Sequence, residues 1–146
     1  IPQSPNCNGI VWGALEDYCR TLVGQGNELY IISGPYGQGG TAKPGGTGPE
    51  TSANYVNGIG GVNIWVPAQV WKVVVVLPNG NDDINRITTS TRVIAVIMPN
   101  TVGCSAYDWK HYRVSVDALE TLTGYDFISN VSPSIQSVIE ASVDNL

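Results

Sequence analysis

Two uninterrupted apolar runs, "VWKVVVVL" at 70–77 and "TRVIAVIMP" at 91–99, constrain this chain more than any other feature. A half-exposed strand alternates apolar and polar residues. These runs carry valine and isoleucine on both sides of the pleat and so predict strands covered on both faces. The covering elements are also written in the chain. Trp12, Leu15, Cys19, Leu22 and Val23 recur at helical spacing, and Gly24 and Gly26 supply the stop. "ELYIISG" reads as a strand ending at Gly34. "VDALETLTG" reads as a short helix closed by Gly124, with Asp117 and Glu120 near its start. Ser132-Pro133 opens a last helix through about Val143, with Ile135, Val138 and Ile139 inward. Central strands flanked by helices predict a mixed α and β domain. No repeat or boundary divides residues 1–146. A glycine-rich excursion at 36–64 is too polar to be expected in the core, and loops of that length are usually functional or disordered.

Composition narrows the function classes. With seven Lys and Arg against twelve Asp and Glu, the net charge of -5 is the wrong sign for gripping a polyanion by charge alone. No apolar run approaches the roughly 20 residues that span a bilayer, so no membrane role is expected. Scarce charge with abundant Gly, Asn, Ser and Thr suits a secreted or periplasmic domain. Cys7, Cys19 and Cys104 fit no zinc spacing and allow at most one internal disulfide, so buried thiols with one bridge at most are expected.

The stretch "NCNGIVWGALEDYCR" at 6–20 carries the candidate chemistry. Glu16 and Arg20, four apart on a helix, are expected side by side, which by itself predicts a surface ion pair of a few tenths of a kcal/mol. Asn8 has two readings. It is the N-cap if the helix begins near Gly9. Alternatively its amide oxygen is a neutral ligand for a hard cation, with Glu16 two turns on anchoring a metal-bound water. Spacing leaves both open. His111, the single histidine, reads as a surface or strand-edge residue, Trp12 as a core anchor, and Trp65, Trp71 and Trp109 as packing residues. "GQGG" at 37–40 lacks the Lys-Ser/Thr of a phosphate loop, and Asp82 and Asp83 read as solvated turn acids.

The ordered blocks "NGIVWGALEDYCR", "ELYIISGP", "VWKVVVVL", "TRVIAVIMPN", "YRVSVDALETLTGYDF" and "SNVSPSIQSVIE" resemble the DNA/RNA non-specific endonucleases, in particular the sugar-non-specific nucleases of cyanobacterial type. The likeness runs from Ile1 to Leu146 and is broken only at 36–64. It implies an α+β, ββα-metal nuclease fold, with a mixed or antiparallel central sheet flanked by helices, incomplete in this chain. It further implies that Asn8 binds a single Mg2+ directly, with Mn2+ as an admissible substitute. Glu16 would then orient metal-bound water and Arg20 would neutralise the scissile phosphate of DNA or RNA. The family's general-base histidine lies in a "DRGH" motif upstream of the metal asparagine, and the chain, beginning at Ile1, contains no such motif. The expectation is the C-terminal part of a longer nuclease, nearly inactive alone, whose N-terminal fragment brings the histidine. Whether an inhibitor protein restrains it stays open. Two rivals are a catalytically dead binding or structural domain and a secreted β-rich domain that binds carbohydrate through its tryptophans. Neither gives a reason for Asn8, Glu16 and Arg20 together.

Overall fold

The computed structural model describes residues 1–43, 49–57 and 61–146. A π-helical turn (Cys7–Trp12) runs into α1 (Gly13–Gly24), followed by β1 (Asn27–Tyr36), β2 (Thr41–Ala42), β3 (Thr51–Ser52), β4 (Tyr55–Asn57), β5 (Asn63–Trp65) and β6 (Gln69–Pro78). Then come α2 (Asp83–Arg86), β7 (Arg92–Pro99), β8 (Arg113–Val114), α3 (Val116–Thr123) and α4 (Pro133–Ile139). Strands β1, β6, β7 and β8 form one sheet in that order, with Ala95 opposite Val114 and Val96 opposite Arg113 in an antiparallel pair. The two apolar runs are its central strands. Val73 and Val74 in β6 and Ile94, Ala95 and Val96 in β7 are buried, as residues on both faces of a covered strand must be. The architecture is α+β. No helix among the described residues is long and apolar enough to cross a membrane.

The chain divides into two compact units. The first comprises 1–16, 34–71 and 98–112. Its hub is Asn100, fully buried, whose amide donates to the Pro2 and Pro67 carbonyls at 3.2 and 2.8 Å and accepts from the Ser4 N–H at 2.7 Å. One side chain thus satisfies three backbone groups, those of Ser4 and Pro67 being buried. The glycine-rich excursion departs from expectation here. β2 pairs with β3 and β4 with β5, both antiparallel, and Ala42, Val56 and Val66 close a small buried cluster. Backbone pairing needs no apolar side chains, so a polar stretch reaches the interior with two small ones, Ala42 and Val56, which meet Val66 just beyond it. Its residues 44–48 and 58–60 lie outside the described residues.

Gly40 shows how tightly this unit closes. A Cβ there would stand 1.9 Å from the Pro67 carbonyl oxygen and 2.8 Å from Asn100 Nδ2. Backbone cannot retreat as a flexible side chain can. Gly40→Ala is therefore expected to destabilise the protein by on the order of 3 kcal/mol, read as a lower midpoint in urea unfolding.

Trp71 and Trp109 are buried as packing residues, and Trp71 donates to the Pro35 carbonyl at 3.2 Å. Trp65 is exposed and donates to the Gly37 carbonyl at 3.0 Å. With two of these three rings enclosed, the tryptophans offer poor material for a shared sugar platform. All three cysteines are buried and none is joined in a disulfide. Cys7 lies against Cys104: donating to the neighbouring sulfur, with burial, pushes the Cys7 thiol up, and accepting that bond pulls Cys104 down.

The second unit comprises 17–33, 72–97 and 113–146. On α1, Cys19 and Leu22 are buried whereas Val23 is exposed, contrary to expectation. Leu15, Cys19 and Leu22 follow the i, i+4, i+7 stripe, and Val23, at i+8, stands at its edge. In α3 the Ser115 hydroxyl accepts from the Ala118 N–H at 3.1 Å, and Gly124 (φ 76°) returns its N–H to the Glu120 carbonyl at 2.7 Å. That is the glycine stop read from the sequence. Helix α4 ends at Ile139 rather than near Val143, and Val138 is exposed. Asp83 is no solvated turn acid. It accepts from the Tyr30 hydroxyl and from Arg86, which also binds Glu28 and, at 2.5 Å, the Pro78 carbonyl.

Candidate active site

Gly9 and Gly13 flank a stretch rich in β-branched and aromatic residues, all weak helix formers, and here the helix widens. The Asn8 N–H still bonds the Ser4 carbonyl at 2.8 Å in α fashion. The Gly13 N–H, however, reaches back five residues to the Asn8 carbonyl and also to that of Ile10. Asn8 is therefore inside the helical stretch, and the N-cap reading is overturned. The N-cap position belongs to Asn6, and Asn8 is exposed.

The wide turn changes what Asn8 faces. In a regular α-helix, residues eight apart lie well off one another's line, since 3.6 residues complete a turn. A π turn absorbs about one extra residue. Asn8 and Glu16 thereby stand where residues seven apart would stand in an α-helix, two turns apart on one face. Their backbones are separated by roughly 10 Å along the axis. Side chains on a helix lean toward its N-terminus, so Glu16 leans toward Asn8. The contact observed agrees: Glu16 Oε1 accepts from the Trp12 indole N–H at 2.9 Å, one turn back. Trp12 is accordingly half-buried and holds a carboxylate, a role beyond the core anchor its spacing suggested.

The expected Glu16–Arg20 pair is not what forms. Arg20 Nη1 bonds Asp17 Oδ1 at 2.5 Å, with the two side chains 70% and 78% exposed. Trp12 takes the glutamate and Asp17 takes the arginine. A pair so exposed is worth little, so a phosphate can take the guanidinium at small cost. His111 lies on the 3-10 turn Trp109–Tyr112, its ring stacked on Tyr107 at 3.8 Å and edge-on to Tyr112 at 5.2 Å. It is exposed, as expected, and spent in an aromatic cluster.

One neutral amide oxygen, with a carboxylate held two turns away on the same face, suits a hydrated hard cation. Magnesium keeps most of its water and takes few protein ligands, and a carboxylate at that remove meets the water rather than the ion. The donor set thus fits magnesium.

The chain matches the family model for DNA/RNA non-specific endonuclease over residues 1–134. It is 48% identical to a nuclease of Nostoc sp., across 99% of this chain and 46% of that protein. It is 26% identical to mitochondrial endonuclease G of Bos taurus, across 89% of this chain and 39% of that one. For mitochondrial nuclease EXOG of Homo sapiens the identity is 27%, across 90% and 33%. Among solved structures, a chain of an EndoG/EndoGI complex superposes with a TM-score of 0.53 at 21% identity, covering 83% of this chain and 44% of that one. That likeness speaks to the fold. The chain spans less than half the length of these relatives.

Proposed function

The chain belongs to the DNA/RNA non-specific endonuclease family, and from that premise we propose that the whole nuclease hydrolyses phosphodiester bonds of DNA and RNA, with Mg2+ as cofactor and no sequence preference. The observation that supports this reading is the wide turn between Asn8 and Glu16, with the Trp12 indole N–H bonded to the Glu16 carboxylate. Asn8 would hold the ion through its amide oxygen, and Glu16 would orient the ion's water. When bound, magnesium supplies Lewis-acid polarisation of the phosphoryl oxygen and neutralises the leaving alkoxide. Arg20 releases Asp17 and binds non-bridging oxygens of the scissile phosphate, stabilising charge that grows toward the transition state. Contacts directed at phosphate rather than base edges give little sequence discrimination.

The proton of the attacking water goes to a histidine outside this chain. The sheet supports a covering segment. β1 is an edge strand, and Tyr30, Ile31 and Ile32, which point alternately to its two faces, are 49%, 48% and 48% exposed. Apolar residues so displayed on an edge call for a partner element. An N-terminal segment would bring the histidine and the positive charge that this chain lacks. The reading extends to a secreted or periplasmic enzyme. An inhibitor protein is a further partner class, as in the EndoG/EndoGI complex.

The test is nicking of supercoiled plasmid and degradation of RNA by the full-length nuclease. EDTA is expected to abolish both. Residues 1–146 alone are expected to be slower by at least about 10², the usual contribution of a positioned base, and an added N-terminal segment restores the rate. Full, EDTA-sensitive activity from this chain alone would place the base within it and overturn the reading.

A further inference from the structure

The second unit contains a group of acids that the catalytic reading leaves unused. Asp117 and Glu120 lie on α3, and Glu140 caps the C-terminal end of α4. One ligand oxygen from each falls within 4.8 Å of the others. Asp117 is exposed, Glu120 half-buried and Glu140 only 6% exposed. Glu140 Oε1 is enclosed without a hydrogen-bond partner, while the Glu120 carboxylate takes one donor, the Phe127 N–H at 2.8 Å. The backbones meet as well, since the Asp117 N–H bonds the Glu140 carbonyl at 3.1 Å.

This arrangement is costly without a counter-charge. Burial, reinforced by Glu120, Asp117 and Asp126, pushes the Glu140 carboxyl up to about 7. A C-terminal helix end adds negative potential of its own. No lysine or arginine among the described residues forms an ion pair with any of the three. Two things relieve the strain: a proton on Glu140 or a cation among the three.

We propose that Asp117, Glu120 and Glu140 form a calcium site that fastens α3 to the end of α4. The dimensions admit calcium. Oxygens bound to one calcium at about 2.3–2.6 Å lie up to about 5 Å apart, and the three oxygens, within 4.8 Å of one another, fit inside that span. Magnesium, at about 2.0–2.1 Å, needs a tighter octahedron. Two acids from α3 and one from α4 make the ion a bridge between helices. The exposed Asp117 edge leaves room for the waters that complete a shell of six to eight oxygens. The site shares no residue with Asn8, Glu16 and Arg20.

The experiment is thermal unfolding of chelator-treated full-length nuclease at pH 8 with calcium chloride titrated in. The wild type is compared with Glu140→Gln, Glu120→Gln and Asn8→Ala. At a hundredfold excess over Kd, calcium is expected to raise the wild-type Tm by on the order of 5–10 °C. Both glutamine variants lose the shift, because an amide of the same shape keeps the packing but not the charge. Without calcium, Glu140→Gln melts at or above the wild type, since it no longer buries a lone carboxylate. Asn8→Ala keeps the shift, which separates this site from the magnesium centre. Absence of the shift in the wild type, its survival in Glu140→Gln and Glu120→Gln, or its loss in Asn8→Ala would each overturn the proposal. The first of these outcomes would leave a protonated Glu140 as the way the cluster is relieved.

Discussion

Asn8→Ala is expected to slow plasmid nicking by the full-length nuclease by about 10²–10³ at saturating DNA, the cost typical of removing one group that stabilises developing charge. The fold should hold. Asn8 is exposed, the N-cap position belongs to Asn6, and its backbone bonds to Ser4 and Gly13 are kept by alanine. Alanine is also the better helix former, so the Tm should not fall. The informative readout is the dependence on magnesium. If Asn8 holds the ion, the variant needs more of it, and part of the lost rate returns as magnesium is raised. A rate within threefold of wild type at every magnesium concentration would remove Asn8 from the metal centre. The N-cap reading would then have no structural home either, because the helix is already under way at that residue.

The strands were plain in the sequence and the site was plain only in its residues. β6 and β7 stand where unbroken valine and isoleucine put them, because covering both faces of a strand is demanded by composition alone. Gly124 closes α3 as read, since a left-handed residue after a helix favours glycine. What failed was anything decided by a single hydrogen bond. The step from α to π at Cys7–Trp12 depends on which carbonyl the Gly13 N–H finds, and no periodicity announces it. Likewise Arg20 had two acids in reach, Glu16 at i−4 and Asp17 at i−3. Arg20 bonds Asp17, while Glu16 Oε1 accepts from Trp12. The pattern held Trp12 and Glu16 four apart, so the indole N–H was the available clue to how the carboxylate is held. Asn100 gave no clue, as its partners Pro2, Ser4 and Pro67 are distant in the chain.

The largest stability effect is expected from a pair that sequence reading did not single out. Asp144, whose side chain is 2% exposed, receives a two-pronged bond from Arg92, Nε to Oδ1 at 2.6 Å and Nη2 to Oδ2 at 2.9 Å, and a longer one from Arg113 at 3.3 Å. Arg92 also donates to the Tyr18 hydroxyl at 2.9 Å, with its guanidinium 5.5 Å from the Tyr18 ring centre. Burial alone would push the Asp144 carboxyl up, but the hydrogen bonds and charges of Arg92 and Arg113 prevail and hold it below the ordinary carboxylate value. The bond to Asp144 in turn raises Arg92. Folding therefore favours ionised Asp144. Its contribution is complete above the unfolded carboxylate value of about 3.9 and is lost as pH falls through the lower folded value. Arg92→Ala strands a buried carboxylate on its weaker partner and is expected to cost about 3–5 kcal/mol at pH 7. That corresponds to a fall in Tm of on the order of 10 °C. As pH falls through the lowered folded value the deficit shrinks, because the wild type is losing the same interaction. Adding Asp144→Asn to Arg92→Ala should recover part of the loss at pH 7, since most of the penalty belongs to the unpaired charge rather than to the absent bond. A double variant as unstable as the sum of its single variants would show instead that Arg92 acts through packing against Tyr18.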